Sequence, residues 1–136
     1  MGLIRSVPLM GIVLIVYNMI NLGYFGARGA VWKTRQLEFT LPSGELIGLN
    51  FSEIFIAIAL IVLFVELTKA STASTSAMTE QTFSTISFVG FLVQFLVDPY
   101  AATPTFFILL MISLIDVLAG AILLVKIARR DLLFGQ

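Results

Sequence analysis

The chain has 136 residues, of which 59% are hydrophobic and only 12% charged, and its mean hydropathy is +1.04; soluble domains are charged at about a quarter of their positions, so this is an integral membrane protein. Cysteine and histidine are both absent, which removes the usual ligands of haem, iron–sulfur, copper and zinc centres, the thiol redox pair and the Ser-His or Cys-His nucleophile. Eight basic residues balance eight acidic ones, so no basic stripe suggests nucleic acid, and no cofactor is expected.

The expected fold is all-α. One membrane domain covers residues 1–136, with four transmembrane helices and a β-hairpin-like extracytoplasmic loop between the first two. The first apolar segment runs from about Leu3 to Phe25. Arg5 followed by PLMGIVLIV resembles a signal peptide, but no A-x-A-like cleavage site follows, so the segment is expected to remain as a span. Asn18 and Asn21 lie three apart near its outer end and share a helix face.

Residues 26–50 form a long connection. Within it TRQLEFTL alternates polar and apolar residues, which puts Leu37, Phe39 and Leu41 on one face. Pro42-Ser43-Gly44 supplies a turn, and Glu45 to Leu49 supplies a returning strand. An isolated hairpin is marginal in water. This loop, with Trp32, Leu37, Phe39 and Leu41, is therefore expected to rest on the bilayer or to dock on a partner. Asn50 and Glu53 have the spacing of a capping box at the start of the next helix.

The second segment runs from about Phe51 to Thr68. Glu66 and Lys69 near its inner end read as an interfacial pair. The polar stretch KASTASTSAMTEQ is compatible with a linker or with helix extension. The third segment, about Thr82 to Val97, carries Ser84, Ser87, Gly90, Gln94 and Asp98 along one line, a pattern that favours interhelical packing over a pore lining. Asp98 to Pro104 is a tight turn, and Pro104 suits the first position of a helix.

The fourth segment runs from about Thr105 to Val125 and contains Asp116 at its middle. An acid near a bilayer centre costs about 2.5–3.5 kcal/mol on insertion scales. Ser113, Asp116 and Gly120 share a face. Folding the third and fourth helices about Ala101 places Asp116 about 18 Å below Pro104, level with Ile86 and Ser87. Ser87 is the expected partner. No second ionisable group and no basic residue of this chain is expected at that depth. Asp116 is then a protonated packing residue, the partner of a cation from another subunit, or a proton- or ion-handling group.

Arg5, Lys69, Lys126, Arg129 and Arg130 fall on one side of the membrane, and Arg28, Lys33 and Arg35 on the other. That asymmetry predicts cytoplasmic termini in a bacterial inner membrane, with Lys126, Arg129 and Arg130 as the anchor. Lacking a catalytic constellation, the chain is expected to be a non-catalytic structural or accessory subunit of a larger assembly. Its partners would be the lipid bilayer and other membrane subunits or copies of itself. The alternative is a small oligomeric proton or cation transporter or channel using Asp116. A lipid-modifying enzyme would have only Asn18, Asn21, Glu53 and Asp98 to work with, and these supply neither a nucleophile nor a metal set.

Overall fold

The computed structural model describes residues 8–24, 30–72 and 77–134. The expected helical start at Leu3, the topology residues Arg5 and Arg28, and residues 73–76 of the second connection lie outside the described residues.

The first helix, α1 (Leu9–Met19), begins immediately after Pro8, whose extended backbone (ψ 127°) ends any continuous helix there. It runs on into a π-helical segment, Ile20–Tyr24, which closes at Gly23 with φ 108°. The apolar helix from Leu9 to Gly23 is shorter than the other three. Fifteen residues at 1.5 Å each span about 22 Å, short of a hydrocarbon core of about 30 Å. Three helices are long and apolar enough to cross a membrane, with apolar stretches Phe51–Lys69, Met78–Val97 and Pro104–Lys126.

The loop between α1 and the next helix forms a hairpin. A short 3-10 turn, Val31–Lys33, leads into β1 (Arg35–Thr40), which pairs antiparallel with β2 (Leu46–Asn50), Phe39 facing Ile47 and Leu37 facing Leu49. Gly44 turns the chain with φ 93°, a backbone conformation that other residues resist. The Phe51 N–H donates to Thr34 O at 2.9 Å and closes the hairpin base. Helix α2 (Phe51–Thr72) follows at once. Glu53 reaches back to accept the Asn50 N–H, as the capping spacing predicts.

Helix α3 (Ala77–Val97) starts five residues before the expected Thr82, so most of the polar stretch after Lys69 is helical, shared between α2 and α3. Hydroxyl groups make this tolerable: Thr68 and Thr82 bond back to the carbonyls of Phe64 and Met78. Asp98 caps the next turn by accepting from Tyr100 N–H, and Thr103 caps α4 by accepting from Phe106 N–H. Helix α4 (Pro104–Phe134) has Pro104 at its first position and continues past the apolar stretch. At 31 residues it is about 46 Å long, so Lys126 and Arg129 lie on an exposed extension and Arg130 continues the helix.

The interior of the bundle is aromatic towards the hairpin end. Tyr17 stacks on Trp32 with ring centres 4.7 Å apart and meets the edge of Phe106 at 5.0 Å. Phe55 and Phe51 close on Trp32 at 5.2 and 5.3 Å, and Phe91 lies 5.6 Å from Phe106. Such pairs add about 0.5–1.5 kcal/mol each beyond simple contact, and they tie all four helices to the loop. Trp32, expected on a docking face, is therefore part of the core, 8% exposed.

Candidate functional site

Below the aromatic layer the four helices converge on a second kind of interior. Glu66, Ser84, Ser87, Ser113 and Asp116 are all buried there. Each sits where the helix period turns a polar residue inward from an otherwise apolar run: Glu66 lies three residues beyond Leu63 on the inner face of α2, and Ser113 and Asp116 lie on the face of α4 that carries Leu109.

Asp116 meets Glu66. The two carboxyl groups lie within hydrogen-bonding reach, and Ser84 and Lys69 complete the neighbourhood of Asp116. This corrects two expectations. Glu66 is a second buried acid beside Asp116, only 5% exposed inside the bundle. Lys69, one turn further along α2, acts electrostatically on both acids, so a cation from this chain is near Asp116.

Glu66 is well held. It accepts the Met10 N–H at 3.0 Å and the Ser84 hydroxyl at 3.2 Å, with a further backbone contact from Leu9. These amides belong to the first turn of α1, whose N–H groups have no intrahelical acceptor and carry the positive end of the helix dipole. The start of α1 after Pro8 therefore creates a seat for a carboxylate inside the bundle. Asp116 is less well served: its Oδ2 accepts no hydrogen bond among the described residues, nor does the buried Ser113 Oγ have a partner.

Ser87, the expected partner of Asp116, instead bonds to Phe83 O and packs over Gly11, where an added Cβ would lie 2.8 Å from its Oγ. Ser84, one turn lower, takes the place at Asp116. The 3-10 turn Pro99–Ala101 consumes chain between the two helices, and helical phase then selects Ser84. Gly120 faces α3, but its neighbour is Gln81, whose Nε2 donates to Val117 O at 3.0 Å.

The remaining polar residues form a separate layer nearer the hairpin. Asn18 and Gln94 exchange reciprocal amide hydrogen bonds, and Gln94 also reaches Asp98 at 3.3 Å. Asn21 accepts the Trp32 indole N–H at 3.1 Å. Phe91, Phe106 and Tyr17, each at most 1% exposed, separate this layer from the acid pair. Leu37, Phe39 and Leu41 remain 51%, 47% and 38% exposed on the hairpin. No group of three or more acidic residues positioned to hold a metal ion occurs among the described residues.

No protein-family model matches the chain, and neither curated proteins nor solved structures give a match.

Proposed function

We propose that this chain is a small membrane transporter that handles a proton or a monovalent cation at the Glu66–Asp116 pair. The observation that carries the reading is the contact of two buried carboxyl groups from α2 and α4. Two carboxylates and one ammonium leave a deficit of one positive charge, and in a low-dielectric interior a proton or cation must supply it. Glu66 is fixed by the α1 amides, whereas Asp116 keeps a free acceptor oxygen. A fixed acid beside an unsatisfied one is the arrangement expected of a group that gains and loses its ion. The short α1, which begins at the site, supplies a helix terminus inside the bundle as discontinuous transporter helices do. In this reading α1 completes a fourth span, and the termini are cytoplasmic in a bacterial inner membrane.

A dry aromatic layer now separates the pair from the Asn18–Gln94–Asp98 layer. Transport through the site requires Phe91 and Phe106 to move, as in alternating access.

The test is ion flux in proteoliposomes, read with a pH-sensitive dye under an imposed proton or sodium gradient. Wild type is expected to dissipate the gradient. Asp116→Asn abolishes flux, and Asp116→Glu retains part of it. A wild-type protein that moves neither ion would overturn the proposal. It would return the chain to the role of an assembly subunit, for which the exposed Leu37, Phe39 and Leu41 face of the hairpin is the supporting observation.

A further inference from the structure

Two adjoining cavities lie at the hairpin end of the bundle, and their chemistries differ. The larger, about 730 Å³, lies between the hairpin base and the turn that joins α3 to α4. Its lining includes Lys33, Asn50, Ser52, Tyr100 and Thr103 around the buried Trp32. Among the described residues of that lining Lys33 is the one that is charged, and none is acidic. Two carboxylates stand at its edge, each bound to a lining residue: Glu53 accepts the Asn50 N–H, and Asp98 accepts from Tyr100 N–H and Gln94. Lys33 makes no ion pair among the described residues. The cavity therefore offers the Lys33 ammonium with hydroxyl and amide groups, and its acids are already hydrogen-bonded to the backbone.

The smaller cavity, about 440 Å³, is an open apolar groove bounded by Phe95, Ala102 and Phe107. Thr103 and Pro104 line both cavities. Pro104 starts a membrane-spanning helix, so the polar cavity lies at headgroup level, where Trp and Tyr are commonly placed. Phe107 lies about one turn, or 5 Å, further in, and it is 46% exposed on the lipid-facing surface. The polar chamber and the apolar groove thus lie side by side at the start of α4, the polar one at the headgroup level and the apolar one beside Phe107.

We propose that these joined cavities bind an anionic phospholipid of the hairpin-side leaflet, its phosphodiester at Lys33 and one acyl chain along Phe95 and Phe107. A mono-anionic head with hydroxyls matches both Lys33 and the Asn50, Ser52 and Thr103 side chains. The inference is independent of ion handling at Glu66 and Asp116.

Trp32 is the only tryptophan of the chain and lines the polar cavity, so it reports occupancy directly. The full chain is reconstituted in phosphatidylcholine vesicles containing a minor fraction of phosphatidylglycerol, with bromine on the acyl chains of one lipid or the other. At equal mole fraction the brominated anionic lipid is expected to quench Trp32 about fivefold more effectively, the preference that one basic residue near a membrane surface confers. Lys33→Gln removes that preference, while Lys126→Gln at the opposite end of the bundle leaves it intact. Equal quenching by the two brominated lipids would refute the proposal. So would a preference that both lysine variants reduce alike, since that reports general surface charge. Displacement of the brominated lipid by soluble glycerol 1-phosphate would show a site for a free anion and would equally overturn it.

Discussion

The two acids at the centre of the bundle make opposite predictions for stability, although both are buried. Glu66→Leu removes the acceptor of the Met10 N–H and leaves that amide unpaired, at a cost of about 1–3 kcal/mol. It also removes a carboxylate from the positive end of α1, worth up to about 1–2 kcal/mol in a partly buried setting. Ser84 loses a bond as well, but its hydroxyl can turn to its own helix, so its contribution is small. The expected destabilisation is about 2–4 kcal/mol. Glu66→Gln keeps one acceptor oxygen for Met10 and presents an amide to Ser84 and Asp116, so it should cost less than about 1 kcal/mol. Asp116→Asn gives Glu66 a donor in place of a second acid. It should leave stability unchanged or raise it by about 1–2 kcal/mol, because it removes a buried charge that has no complete set of partners. These differences are measured by unfolding in mixed micelles with increasing sodium dodecyl sulfate, followed by circular dichroism. If Asp116→Asn destabilised the bundle as much as Glu66→Leu, Asp116 would be a packing element and the argument for an ion site would fail. Flux lost together with stability kept is the signature of a residue retained for function at a stability cost.

Two further outcomes test the packing that frames the site. A Cβ at Gly120 would meet the end of the Gln81 side chain, which can swing aside, so Gly120→Ala should cost less than about 1 kcal/mol; Gly120→Leu should cost about 1–3 kcal/mol by separating α3 from α4 and breaking the Gln81–Val117 bond, and an unchanged midpoint in the same unfolding assay would contradict this. Asn21→Leu removes the acceptor of the Trp32 indole, which should shift Trp32 emission to shorter wavelength and cost about 1–3 kcal/mol, and an unaltered emission spectrum would refute the contact.

The parts of the fold legible in the sequence were those that depend on local chemistry. Hydropathy located the three long helices, alternation located the hairpin around Phe39 and Ile47, and Pro104 and Asn50–Glu53 marked helix starts because capping and proline act within one turn. Two parts were not legible. Pro8 stands inside an apolar run, and nothing in hydropathy distinguishes a proline that starts a helix from one inside a longer span. The Glu66–Asp116 contact depends on the helical phase that turns both acids inward at one level, which does not follow from segment boundaries. The two failures are connected. Because α1 starts at Leu9, its first amides open into the bundle at the level where α2 presents Glu66, and a carboxylate that would otherwise be expelled to the interface finds donors there. Once Glu66 is held, Asp116 has an acidic neighbour, and the isolated acid visible in the sequence becomes a pair with a charge to balance. The helix start after Pro8 is thus the sequence feature on which the chemistry of the site depends, because the free amides of the first turn of α1 hold Glu66 beside Asp116.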